Sequence, residues 1–396
     1  MKNKLALEGT RVLDLTHVLS GPYCTMLLAD MGAEVIKIEK HGEYDRKAIP
    51  LIKGESYFYM VLNRNKKSIT LNLKHEKGVE ILKQLTAKSD VVVENFRPGV
   101  MDKLGIGYDI LKKVNPKIIF ASISGYGQNS RYSNRAAYDL TAQALSGVMA
   151  MTGDPNGPPM RCGFDVGDII PAIYTAFSIV TAICARMNTG VGQMIDVSMI
   201  DSLILCQPDQ FTTTKVTGKA PERAECGGHI VAFPYDAFQT RDDWIAIGCW
   251  GDPMFARLAD LIKMPELVED PKFITEEGRC ANRSELRKFI EKWVSNLTAA
   301  EAISLLLDNG IGGAEVYNYK QVLESAQVKD RDLVKRMVHP VAGEVDVPGI
   351  APKFSETPGD VRKPSPLLGE HNKEIYTGLL QYSKEQVKKF EKEGII

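Results

Sequence analysis

Residues 11–39 open with Arg11-Val12-Leu13-Asp14-Leu15-Thr16-His17-Val18-Leu19-Ser20-Gly21-Pro22 and close with Glu34-Val35-Ile36-Lys37-Ile38-Glu39. Arg11–Thr16 is a short apolar run and reads as a buried strand. Residues 22–31 read as a helix, and Glu34–Glu39 reads as a second strand. Together they make a βαβ unit. The pattern then repeats. Ser68–Leu73 reads as a strand, His75–Ser89 as a helix and Val91–Glu94 as a strand. Tyr108–Val114 reads as a short helix and Ile118–Ile123 as a further strand. Longer helices are expected over 136–151 and 169–187, with a last strand over Gln193–Ser198. Strands alternating with helices predict an α/β fold built on an open, doubly wound parallel sheet.

The character changes after residue 205. The stretch 208–228 reads as polar and irregular. Residues 234–239 and 244–248 flank Thr240-Arg241-Asp242-Asp243, a hairpin turn. Helices are expected at 253–262, 283–296 and 299–308. This makes 206–325 a smaller α+β domain. A helix over 327–337, short strands, a proline-rich connection and a terminal helix from Lys373 are expected to return to the first domain. That domain is then discontinuous, 1–205 with 326–396.

A chain of 396 residues exceeds one ordinary core. With 25% charged residues and a net charge of −1, nothing favours a nucleic acid or an acidic membrane as partner. No apolar run reads as a bilayer span, and no signal-peptide core precedes the first strand, so a cytoplasmic enzyme is expected. The seven cysteines are scattered without a Cys-x-x-Cys pair. They read as reduced thiols, and no metal site is expected.

Three groups of residues could carry chemistry. The loop Thr16–Pro22 follows the first strand, at the end where ligands of open α/β sheets bind. It has one glycine, and Pro22 removes a backbone donor, so it does not match a nicotinamide-dinucleotide loop. Next, Lys40, Lys74, Arg97 and Lys103 follow successive strands, together with Asn95-Phe96. Separated cations and an aromatic face suit a ligand with several phosphates and a base, such as coenzyme A. The plain alternative is solvated surface lysines. The third group is Tyr138-Asp139 with Asp168. Asp168 stands between Gly167 and the apolar run 169–187. It is either a helix cap or a nucleophile that Gly167 leaves open to a bulky substrate. A helix N-terminus would favour its ionised form and supply N–H groups to an oxyanion. His17 and His229 are candidate bases, although a lone histidine is more often structural.

In this order the pieces resemble the class III coenzyme A transferases nearly end to end. The markers are Val12–Thr16 with Gly21-Pro22, Leu28–Glu39, Asn65–Ile69 with Leu71–Lys74, and Val93–Gly99. Further along come Ser124–Gly127, Tyr138-Asp139, Asp168, Thr189–Gln193 and Leu367–His371. The resemblance implies an interlocked homodimer of ring-like subunits. It implies an acyl-CoA:carboxylate CoA-transferase acting through anhydride and aspartyl-CoA thioester intermediates on Asp168. Its partners would be an acyl-CoA and a carboxylic acid, with CoA thioester as substrate and no permanently bound cofactor. Leu19, Ser20, Lys40, Leu71, Asn72, Leu73, Lys74, Asn95, Phe96, Arg97, Lys103, Ala136, Ala137, Tyr138 and Asp139 fall on the family's CoA-binding positions.

The match has departures. Ala136 stands where the formyl-CoA-transferring members have a lysine, and Leu19 where they have a glutamine. Cys226-Gly227-Gly228-His229 replaces a longer glycine-rich loop. Formate and oxalate are therefore not the expected acids. His17, Gly227, Gly228 and His229 are candidates for substrate or oxyanion contacts, with a pocket expected between Asp168, the 17–20 loop and 226–235. Phe233, Tyr235 and Trp250 would make it partly apolar and suited to a medium-sized or aromatic acid. Two alternatives stay open. An α-methylacyl-CoA racemase would need a base where Tyr138 stands, and tyrosine, with a pKa of about 10, is a poor one at neutral pH. The chain could also be one subunit of a heteromeric transferase.

Overall fold

The computed structural model describes residues 5–42, 44–224 and 228–396. It divides into two units: 1–146 with 165–205 and 325–396, and 147–164 with 206–324. The short segment 147–164 groups with the second unit, whereas the sequence reading kept it in the first.

Six parallel strands form the sheet of the first unit: β1 Arg11–Asp14, β2 Glu34–Glu39, β3 Lys67–Thr70, β4 Val91–Glu94, β5 Ile119–Ser124 and β6 Met194–Ser198. Their order is β3-β2-β1-β4-β5-β6. The chain runs outward from β1 to β3, crosses back to β4 beside β1, and continues the other way. Leu13 is flanked by Ile36 on one side and Val92 on the other. These positions are buried on both faces, which explains the near-continuous apolar strands. The reversal of strand order opens a crevice at the carboxyl ends of β1 and β4.

Helices α1 Ser20–Asp30, α2 Glu76–Ala87, α3 Tyr108–Val114, α4 Asp139–Ser146, α5 Val166–Thr189 and α6 Met199–Leu205 complete the elements that matter for the site. The expected 136–151 helix is interrupted at Gly147, whose φ of 92° ends α4. α5 packs a small-residue face, including Ala172, Thr175, Ala176 and Ala182, into the unit. Its other face exposes Ile173, Phe177 and Met187. By length and composition alone α5 is apolar enough to cross a membrane, which corrects the expectation of no such run.

The C-terminal segment closes the free edge of β3. His371 donates its N–H to the Ser68 carbonyl and accepts the Ser68 N–H at Nδ1, 3.2 Å away. Asn372 accepts the Thr70 N–H at 2.9 Å and donates to Thr70 Oγ1 at 2.8 Å. An otherwise unpaired strand edge is thereby covered. Tyr376, Phe390, Ile395 and Ile396 join the core around Ile69, Ile81 and Leu82.

The second unit holds a three-stranded antiparallel sheet, with β7 Tyr235–Gln239 and β8 Trp244–Gly248 forming the hairpin and β9 Gly312–Glu315 pairing to β8. Helices at Asp252–Leu261, Arg283–Val294 and Ala299–Asp308 pack against it. Two expectations fail. Pro208–Thr217 is a helix and not an irregular stretch. In the first unit the 327–337 helix ends at Asp330, and Val334–His339 is a strand paired with Gly343–Pro348.

Candidate active site

A cleft of about 210 Å³ lies at the carboxyl ends of β1 and β4. Its walls are His17, Val18 and Ser20 from the β1 loop and Asn95, Phe96, Arg97 and Pro98 from the β4 loop. Ser133, Arg135, Ala136, Ala137 and Tyr138 approach from the segment before α4, and Asp168 from the first turn of α5.

The β1 loop is held from below by a buried charge network. Asp14 Oδ1 accepts the Thr16 N–H at 2.9 Å and the Thr16 hydroxyl at 2.6 Å. Its Oδ2 accepts Thr25 Oγ1 at 2.6 Å and Lys66 Nζ at 3.0 Å. Lys37 Nζ donates to the Thr16 carbonyl at 2.7 Å. Burial alone would raise the Asp14 pKa, but Lys37, Lys66 and the two threonine hydroxyls outweigh it and hold it well below the usual carboxylate range. Burial brings Lys66 down to about 8 despite Asp14 beside it. Gly21 meets this network directly. A Cβ there would lie 2.2 Å from Thr16 Cβ, so only glycine lets α1 start this close to the strand.

The two loops are clasped to each other. Asn95 Oδ1 accepts the His17 N–H at 2.9 Å, and Asn95 Nδ2 donates to the His17 carbonyl at 2.8 Å. The His17 ring packs on Phe96 with centroids 5.3 Å apart. Val18 sits at a φ of 63°, a strained region for a β-branched residue, and Asp45 Oδ2 accepts its N–H at 2.9 Å. Glu94 fixes the next turn by accepting the Phe96 N–H at 2.8 Å. Burial pushes Glu94 up to about 7, with Asp102 and Asp196 adding to it and the Ser122 hydroxyl and Phe96 N–H opposing.

Asp168 is the third residue of α5, not its cap; the cap position belongs to Asp165. The Ser20 hydroxyl lies beside the Asp168 carboxylate and favours its ionised form. Ser20 is itself the first residue of α1, and Asp168 lies in the first turn of α5. Burial works the other way, and with the negative charges of Asp139 and Asp165 it pushes Asp168 up to about 7. A carboxyl group with that pKa, partly buried in a cleft, is a stronger base than a surface aspartate yet still ionises near neutral pH.

Known proteins decide the family. CoA-transferase family III matches the chain over residues 7–372. The chain belongs to CoA-transferase family III. Among its relatives is the mouse (Mus musculus) succinyl-CoA:glutarate CoA-transferase, 37% identical over 98% of this chain and 90% of that protein. The formyl-CoA:oxalate CoA-transferase of Streptomyces avermitilis is 36% identical over 99% of each. A solved CAIB/BAIF family protein from Brucella suis superposes with a TM-score of 0.82 at 30% identity, covering 96% of this chain and all of that one.

In this CoA-transferase the cleft brings together His17, Ser20, Asn95, Phe96, Arg97, Ala136, Ala137, Tyr138 and Asp168. Tyr138 is 68% exposed and presents its ring openly. Other expected positions lie elsewhere. Lys40, Lys74 and Lys103 are exposed at the carboxyl ends of β2, β3 and β4 but do not line this cleft. Leu71 is a core residue, and Leu73 packs against the same core. Asn72 anchors the C-terminal tail, its N–H donating to the Ile395 carbonyl at 2.8 Å. Leu19 is buried at the start of α1. Asp139 is buried at 8% exposure, with its carboxylate engaged inside the protein.

The glycine at 167 has a different reason from the expected one. A Cβ there would lie 2.9 Å from Asp139 Oδ1, so the close neighbour is Asp139 and not a substrate. The N–H groups at the helix start are not open oxyanion donors either. Gly167 donates to Asp139, and Asp168 and Ile169 donate to the Asp165 carbonyl. Gly227 falls outside the described residues. Gly228 and His229 belong to the second unit. A Cβ on Gly228 would crowd the Asp236 carboxylate at 2.8 Å, and Asp236 is paired with Arg287. His229 Nε2 lies 3.3 Å from Asp209 Oδ2, and its ring packs on Tyr235 and Trp250. Phe233 is 1% exposed and packs in the second unit's core, whereas Tyr235 and Trp250 are exposed.

The sequence reading missed Glu94, Ser133 and Arg135. Arg135 stacks its guanidinium 4.1 Å from the Tyr132 ring centroid. It adjoins Ala136, the position that lacks the expected lysine, and that neighbouring cation was the available signal.

Proposed function

We propose that this enzyme moves CoA between acyl groups with Asp168 as nucleophile. The observation that carries this is Asp168 itself, held by Ser20 in the cleft and able to ionise near pH 7. The Asp168 carboxylate attacks the thioester carbonyl of the donor, giving a mixed anhydride and expelling CoA thiolate. The thiolate attacks the aspartyl carbonyl, giving an aspartyl-CoA thioester and releasing the donor acid. The acceptor carboxylate attacks that thioester and expels the thiolate again. The thiolate then attacks the acceptor's acyl carbon, releasing the new acyl-CoA and restoring Asp168. Covalent catalysis divides one difficult exchange into easier ones.

The CoA thioester is the substrate, with no permanently bound cofactor. Its polyphosphate portion runs along the carboxyl edge of the sheet, where Arg97, Lys40, Lys74 and Lys103 supply cations. The relatives carry names with short dicarboxylic acids: glutarate, oxalate, D-citramalate. The acids exchanged here are short dicarboxylates, with Arg97 and Arg135 available to a second carboxylate; of the medium-sized or aromatic acid expected from the sequence, this keeps the modest size and not the aromatic ring. The exposed face of α5 is covered by a second copy in an interlocked homodimer. Supporting this, Ile173, Phe177 and Val180 face an apolar groove of about 520 Å³ shared with Tyr23, Met26 and Phe354. The six described free cysteines suit a reducing cytoplasm.

The test is chemical trapping. Borohydride or hydroxylamine, added with acyl-CoA, must modify Asp168, and Asp168→Ala must lose both the adduct and turnover. Full activity in Asp168→Ala would end the nucleophile reading. A panel of mono- and dicarboxylic acids against succinyl-CoA settles the substrate class, and exclusive use of monocarboxylic acids would overturn it.

A further inference from the structure

The aspartate of the Tyr138-Asp139 pair does not face the cleft in which the chemistry is proposed. Its Oδ1 accepts the Gly167 N–H at 2.8 Å. The Gln143 side-chain amide donates to both of its oxygens, at 2.9 and 2.8 Å. The contact leaves no slack, since a Cβ on Gly167 would also lie 3.0 Å from the Asp139 carbonyl oxygen. Gln143 thus fixes the Asp139 carboxylate, and the carboxylate fixes the main chain one residue before Asp168.

We infer that Asp139 is a positioning residue for Asp168, acting through the Gly167 main chain and through its own negative charge, and not a contact to CoA. This rests on the reading of Asp168 as nucleophile. The grip acts on the first turn of α5, where a small displacement moves the nucleophile off the thioester carbonyl. The charge acts on the carboxylate as well. Asp139 and Asp165 both oppose ionisation of Asp168, and Ser20 favours it. The other charged or titratable side chains around the cleft are His17, Arg97, Arg135 and Tyr138. A carboxylate made more basic by a buried neighbour is also a better nucleophile once ionised, as Brønsted behaviour requires.

The experiment measures kcat and KM against pH in three variants of the full-length enzyme. Asp139→Asn keeps an acceptor for the Gly167 N–H and removes the charge. Its acid limb in kcat/KM should move to lower pH, with the KM for acyl-CoA held within about twofold. Asp139→Ala removes the grip as well, and its kcat should fall about 100-fold with that KM again held. An acid limb that stays in place in Asp139→Asn overturns the inference. So does a roughly tenfold rise in acyl-CoA KM at unchanged kcat, the mark of a direct CoA contact. Asp168→Ala separates the two levels. If it is fully active, the nucleophile reading falls and the inference with it. If it is inactive and Asp139→Asn shows no shift, only the inference falls.

Discussion

Ser20, the first residue of α1, and Asp168, the third residue of α5, share the cleft, and the Ser20 hydroxyl favours the ionised carboxylate. The contact links the loop after β1 to the candidate nucleophile. Activity needs that ionised form, so kcat/KM should fall as pH drops through about 7. Ser20→Ala removes a hydroxyl that favours the carboxylate. Its acid limb should move to higher pH, with neutral-pH activity down roughly tenfold, as expected for about 1.5 kcal/mol from a bond to a charged group. A pH–rate profile of the variant checks both effects.

Asp168 should also make the protein less stable as pH rises. Its folded pKa of about 7 lies above the ordinary value of 3.8. Between those values the folded state holds a proton that the unfolded chain has released, so this group subtracts stability as pH rises toward 7. Asp168→Asn removes that penalty. The variant should match the parent near pH 4 and melt roughly 2–4 °C higher near pH 8 for each kcal/mol recovered. Thermal scans at the two pH values measure the difference.

Gly167→Ala should cost rate more than fold. The added methyl would press on Asp139 at 2.9 Å and displace the first turn of α5. A loss of about 100-fold in kcat is expected for a shift of that order. In an Asp139→Ala background the same substitution should cost less than in the parent but not nothing, because the clash with Oδ1 is gone while the main-chain carbonyl oxygen of residue 139 stays 3.0 Å away. A double-mutant cycle in kcat reads this coupling.

Lys66 and Lys67 are neighbours with different weights. Lys66 is fully buried against Asp14, whereas Lys67 pairs with Glu34 and Glu374 at a partly exposed edge. Lys66→Met leaves the Asp14 carboxylate short of a buried partner and should cost about 3–5 kcal/mol. Lys67→Met should cost about 1 kcal/mol or less. Denaturant unfolding of the two variants compares them directly.

The parallel strands were legible because each is a run of apolar residues ended by a turn signal. Val91–Glu94 and Tyr108–Val114 fall where their patterns place them. The Pro208–Thr217 helix was not legible, since it buries no residue and so lacks an apolar stripe. The strand Val334–His339 hid behind a preceding helical turn. Asp168 could be found from its neighbours in sequence, but its raised pKa could not. That depends on burial and on Asp139, which the fold brings to the start of α5 from another helix. The lysines after β2, β3 and β4 followed the strand pattern faithfully, yet only Arg97 among the expected cations reaches the cleft.

Tyr138 lines the cleft, and the next residue along the chain, Asp139, grips the turn that carries Asp168. On the proposed chemistry, a wall of the cleft and the part that positions the nucleophile are therefore adjacent in the backbone. Selection for a new acid that reshapes this wall will disturb turnover at the same time.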